Sequence, residues 1–200
     1  MTDKLPSDVY PDSRCRLPLP KREELDDAGR KIYDHHVDPN GQSLAGLTGP
    51  GGIRLHSPRL SALQSPASRY LRWEAGLSGP IRELVILVTA REMGSQFEWF
   101  QHEAEARKEG LSEVIIDTVK HGKPLDRLPE TEAAIIALGR EMIGKKKVSP
   151  ETFARALKVF GRRTLVDIVA LMGNYAATAL LLVAFDAQLP EGQEPLLPVR

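Results

Sequence analysis

The chain reads as all-α, and three observations carry that reading. Apolar residues recur at spacings of three and four from Ser57 onward, the period of a helix with one buried face. Proline, serine and glycine fall where such runs begin and end. No segment alternates apolar and polar residues as a half-buried strand does, and no hairpin signal of strength joins two such segments. With 200 residues, 42% of them hydrophobic and 27% charged, a single domain with its own core is expected.

Taken in order, residues 1–20 carry Pro6, Pro11, Pro18 and Pro20 with little periodic hydrophobicity. They predict an extended arm that orders only against the body or a neighbouring subunit. Over 21–36, Leu25, Ala28 and Ile32 alternate with charges and predict an amphipathic helix closing at His35-His36. A glycine-rich stretch from Gly41 to Gly52 follows, with no phosphate-loop Lys-Ser/Thr behind it. It reads as a flexible connection, with a pocket wall as the other option. Ser57-Pro58 supplies a cap and a first-turn proline before RLSALQ. Pro80 opens a helix containing Ile81, Leu84, Val85 and Val88, and Gly94 permits a break. A second helix runs from about Ser95 to Lys108 and stops at Gly110. Ser112 caps a short helix through Val119. Pro129 opens PETEAAIIALGREMI, with acids in its first turn and Arg140 near its end, as the helix dipole favours. Ser149-Pro150-Glu151 starts another helix, a long apolar one follows Gly161, and the tail from Pro190 is irregular. The expected organisation is a proline-rich arm (1–20), an N-terminal helix and glycine-rich loop (21–52), a helical domain (53–189) and an irregular tail (190–200).

Composition narrows the function. Acids and bases balance at 27 each and no basic cluster is interleaved with aromatics, which argues against a nucleic-acid partner. Lys145-Lys146-Lys147 reads as a solvated charge run after a helix. The one cysteine, Cys15, lies in the proline-rich arm, so no intrachain disulfide, CxxC pair or cysteine-rich zinc site exists. The N-terminus lacks the basic-then-apolar pattern of a signal peptide, and a cytoplasmic location is expected. Thr164 to Phe185 is 22 residues long and mostly apolar, but Asp167, Asn174 and Tyr175 interrupt it. It reads as a buried central or subunit-interface helix rather than a membrane span.

The chemistry concentrates between Glu83 and His102, in ELVILVTAREMGSQFEWFQH. Ser95, Glu98 and His102 fall on one helical stripe within roughly 60°. Glu83 stands among apolar residues, where a buried carboxylate must be paired or protonated. Two bland readings stand beside this: Glu83 as an exposed acid in a first helical turn, and Glu98 with His102 as an ordinary pair one turn apart. A metal site lacks further ligands at useful spacing, so no metal is expected. A serine hydrolase lacks the Gly-x-Ser-x-Gly elbow around Ser95.

Four stretches, LHSPRLSAL, RELVILVTAREMGSQFEWFQHEAEARKEGLSEVII, ETEAAIIALGREMIGKKKVSPETFARAL and TLVDIVALMGNYAATALLL, span residues from about 50 to 189. Together they resemble the carboxymuconolactone decarboxylase and alkylhydroperoxidase D-like superfamily. The specific part is Arg82-Glu83-Leu84, the spacing of 19 from acid to histidine, Glu98-Trp99 and Gly110-Leu111-Ser112. Peroxidase members place two cysteines between the glutamate and the histidine. Ser95 and Glu98 occupy those positions in this chain, and neither cycles through sulfenate and disulfide.

The resemblance implies an alkylhydroperoxidase D-like helical bundle and a decarboxylase-like lyase in place of a thiol peroxidase. In that reading His102 is the acid/base, Glu83 orients it, and Glu98 or Ser95 gives a second polar contact. Arg82, Arg91 or Arg72 pairs a substrate carboxylate. Trp99, with Trp73, Phe97 and Phe100, either lines an apolar pocket or, as helical aromatics more often do, belongs to the core. Glu98 would repel a strongly anionic substrate, which favours a less acidic one. The implied substrate is a small cyclic or unsaturated acid or lactone, of the kind met in breakdown of aromatic compounds, with no cofactor. The resemblance also implies a homo-oligomer (dimer, trimer or hexamer). A non-catalytic binding or scaffold protein of the same fold is the first alternative. Peroxidase activity like that of the cysteine-containing relatives is the second.

Overall fold

The computed structural model describes residues 5–40 and 43–198. Eight α-helical segments are found among them: α1 (Asp27–Val37), α2 (Pro50–Arg54), α3 (Pro58–Arg69), α4 (Gly79–Met93), α5 (Gln96–Lys108), α6 (Glu113–His121), α7 (Glu130–Gly139) and α8 (Pro150–Ala184), the last being two helices that meet at a non-helical Gly161 (φ 70°, ψ 173°), the break the sequence predicts. Among the described residues there is no strand, only an isolated bridge between Tyr10 and Cys15. The all-α expectation holds.

Two compact units partition the chain, one holding the described residues up to Ser68 with Leu180–Glu194, the other Arg69–Ala179 with the described residues from Pro195 onward. In the first unit the proline-rich arm is ordered by backbone pairing with the chain that follows α8. Arg16 N–H donates to Phe185 O at 2.8 Å, and Gln188 N–H donates to Arg14 O at 2.9 Å. Val9, Cys15, Ile53, Leu55 and Leu182 are buried there. The glycine-rich stretch corrects its reading as a flexible connection, although residues 41 and 42 lie outside the described residues. Its second half is the short helix α2, with Gly51 and Gly52 buried. A Cβ on Gly51 would stand 2.4 Å from Gly46 O, and one on Gly52 would stand 2.2 Å from Leu47 O. Those glycines serve close backbone packing.

The second unit is built around α4, whose residues Arg82 to Arg91 are all buried. A helix apolar on every side needs neighbours on every side, and α5, α6 and α7 pack on it. Leu84 to Val88 are each no more than 1% exposed, and each such side chain contributes roughly 1.5–3 kcal/mol on burial. Leu165, Ile168, Leu171 and Met172 give α8 its buried face. Thr164–Phe185 was expected as a buried central or subunit-interface helix; within the chain the buried central position belongs to α4, and α8 keeps an open face. By length and hydropathy α8 is long and apolar enough to cross a membrane, yet 44% of its most apolar window is buried in the protein.

Helix boundaries follow their caps. Asp26, Ser95 and Ser112 each accept a hydrogen bond from an orphan amide of the helix they precede. The first helix therefore starts at Asp27, after a 3-10 turn at Arg22–Glu24, and not at residue 21. Two π-turns, Tyr70–Glu74 and Arg140–Gly144, extend α3 and α7.

Candidate functional site

Glu83 lies near the start of α4 and His102 in the second turn of α5. The corner between the helices brings them together. Gly94 ends α4 at φ 69°, a left-handed conformation in which a Cβ is strained. Its neighbour Ser95 donates its amide to Ala90 O at 2.8 Å, closing a Schellman-type turn. The same Ser95 caps α5 through its hydroxyl, which accepts from Glu98 N–H at 3.4 Å. One helix ends and the next begins within two residues, so α5 folds back along α4.

That return sets the His102 Nδ1 2.7 Å from Glu83 Oε2. The other carboxylate oxygen, Oε1, accepts from Arg82 Nε–H at 3.0 Å. Glu83 is 0% exposed and His102 6%. A carboxylate this deep would cost several kcal/mol if unpaired; both of its oxygens are paired with cationic or potentially cationic groups. The reading of Glu83 as an exposed first-turn acid is thereby corrected. Burial alone would push the Glu83 carboxyl up, but the His102 hydrogen bond and charge, with those of Arg82, hold it below the usual carboxylate range. Ionised Glu83 only accepts, so the proton of the shared bond sits on Nδ1, and Nε2 is the ring atom left to exchange protons.

Around the pair, Arg82 also contacts Glu109 Oε1 through Nη2 at 3.1 Å. Its guanidinium stands 4.2 Å from the Trp73 ring centre, and that of Arg72 stands 4.8 Å away. Both Arg72 and Trp73 belong to the Tyr70–Glu74 π-turn. Arg82 is thus engaged on Glu83, Glu109 and Trp73. Glu98 is buried in the first turn of α5, and Arg91 is buried near the end of α4. The Ser95 hydroxyl is occupied by the cap. Trp99 is fully buried and its indole N–H donates to Glu103 Oε2 at 3.0 Å, so it is core. The Ser95 hydroxyl accepts the cap bond and the Trp99 indole N–H donates to Glu103, so each already has a partner in the fold. Phe97 is core as well, whereas Trp73 is exposed.

Two residues at or near the site escaped the sequence reading. Tyr175 of α8 meets His102 edge-on, with ring centres 5.1 Å apart and planes at 85°. Glu103, also buried, gathers Trp99, Arg107 at 2.9 Å and Lys120 at 3.2 Å, a satisfied structural network. The i,i+4 spacing of Trp99 and Glu103 was the available signal for that network. Among the described residues, no group of three or more His, Cys, Asp or Glu side chains is placed to hold a metal ion.

No family model matches the chain, and no curated protein matches it. A solved structure does. The crystal structure of a protein of unknown function from Agrobacterium tumefaciens, described as a candidate antioxidant defence protein AhpD, is 21% identical with a TM-score of 0.62. The match covers 68% of this chain and 94% of that one. The chain has an AhpD-like all-α fold.

Proposed function

We propose that the protein is a carboxymuconolactone decarboxylase-like lyase. Glu83 and His102 would move a proton on a small cyclic or unsaturated acid or lactone. The observation that carries this reading is the buried 2.7 Å contact between Glu83 Oε2 and His102 Nδ1. An ionised carboxylate there orients the ring and keeps a proton on Nδ1, leaving Nε2 as the atom that delivers the transferred proton. The carbon–carboxylate bond breaks, CO₂ leaves, and the electron pair passes into a conjugated carbonyl. Nε2–H then protonates the carbon, and solvent restores the imidazolium. Thiol peroxidase chemistry does not fit, because Ser95 and Glu98 stand at the redox positions and Cys15 is buried.

The test is a panel of small carboxylated lactones and unsaturated cyclic acids assayed for CO₂ release. Turnover is expected, and His102→Ala should reduce it by about 10²–10⁴-fold while circular dichroism stays unchanged. A panel with no turnover, or a variant that keeps the wild-type rate, would sink the reading. Near-complete burial of the pair favours the scaffold alternative, which predicts neither turnover nor any response of His102 to ligands.

A further inference from the structure

Tyr175 is the side chain at the pair that the Glu83–His102 chemistry leaves unused. Its ring packs edge-on against His102, and the residue is only 7% exposed. Its hydroxyl has no hydrogen bond among the described residues and is not one of the fully buried polar atoms, so it keeps contact with solvent. A phenol that reaches solvent beside a proton-transfer imidazole has its O–H available to a molecule bound there. Burial, with the carboxylates of Glu83 and Glu98, holds its proton on well above the usual tyrosine range, against the opposing pull of Arg72 and Arg82. It stays a neutral donor wherever the pair works.

We propose that Tyr175 is a substrate-contacting residue whose phenol donates a hydrogen bond to the carbonyl oxygen of a small lactone or unsaturated acid. The proposal rests on the proton-transfer reading of Glu83 and His102, and it names the substrate group that faces α8. Electrons released by the breaking carbon–carboxylate bond collect on that oxygen. The phenol keeps its proton and stabilises the charge, while His102 protonates carbon. A donor fixed before charge develops acts chiefly on the transition state.

The probe is tetronate, a five-membered lactone that is already an enolate at neutral pH, with γ-butyrolactone as the uncharged, saturated control. Titrations into the wild-type protein and into Tyr175→Phe are followed by the ¹⁵N signals of the His102 ring. Wild type should bind tetronate more tightly than γ-butyrolactone and shift His102 Nε2. Tyr175→Phe keeps the ring against His102 and should weaken tetronate at least about tenfold, the loss of one hydrogen bond. Its melting temperature should equal or exceed that of wild type, since no protein partner is lost. Equal tetronate affinity in both proteins, with His102 responding in each, overturns the role of Tyr175 and leaves the proton-transfer reading standing. A marked loss of stability in Tyr175→Phe also overturns it, by showing that the hydroxyl serves the fold. Tetronate that leaves His102 undisturbed in wild type overturns both.

Discussion

Glu83 shows how a single residue turns from a cost into a device. Surrounded by Leu84 to Val88, it would be expelled or protonated without its partners, and His102 and Arg82 keep it ionised. Because its folded pKa lies below its ordinary 4.5, the stability it contributes is fully present above pH 4.5 and lost as pH falls through the folded value. Unfolding midpoints measured from neutral pH down to the acid transition should therefore fall less steeply for Glu83→Gln than for wild type. Glu83→Ala at neutral pH should cost about 3–5 kcal/mol, since Arg82 and His102 would lose their shared partner. Coincident acid limbs for wild type and Glu83→Gln would contradict this account. Spacing put Ser95, Glu98 and His102 on one stripe, but the pairing of Glu83 with His102 came from the family resemblance, because α4 is buried on every side and has no periodicity that singles out Glu83. Tyr175 was not visible in the same way. A phenol within an apolar helix looks like an interruption until another helix places an imidazole against it.

At the scale of elements, caps were legible and irregular turns were not. Ser112 and the Ser149-Pro150 start were readable because a cap is a local hydrogen bond between neighbours in sequence. The π-turn at Tyr70–Glu74 was not, since one extra residue in a turn leaves hydrophobic spacing almost unchanged. That turn carries Arg72 and Trp73, candidates that the sequence named but could not place beside Arg82. Ser95 illustrates a different limit: its residue type fits both a cap and a ligand contact, and only the 3.4 Å bond to Glu98 N–H separates them. Ser95→Ala should cost about 1 kcal/mol of stability through the lost cap and leave tetronate affinity within twofold, roughly the noise of such titrations. Ser95→Thr should recover most of the stability. Affinity that collapses in Ser95→Ala while the melting temperature holds would return the residue to the binding surface.

For the whole molecule, the long-range order of the arm was beyond sequence reading because it depends on irregular backbone pairing across the length of the chain. Arg14 Nε–H donates to Leu189 O at 2.8 Å across a separation of 175 residues, and no periodicity encodes such a contact. Helical character, by contrast, was legible throughout and gave the all-α class; the AhpD-like fold was anticipated from the resemblance of four stretches, and a solved structure 21% identical to this chain has it. The open face of α8 is the feature that bears on assembly. Val166 is 66% exposed, and Val169, Ala170, Gly173 and Ala177 continue the exposed face along the helix without a charge. Their spacing of roughly half a heptad forms one stripe, the pattern of a helix seam. An apolar stripe left in water gains by pairing with a copy of itself, and closed symmetric association is the usual outcome. Light scattering should accordingly give a mass that is a multiple of 22.1 kDa. Val166→Glu puts a charge on the stripe at a side chain already open to solvent, so it should dissociate the assembly and leave the helical content unchanged. A wild-type protein that runs as a 22.1 kDa particle at every accessible concentration would remove the stripe from any role in assembly.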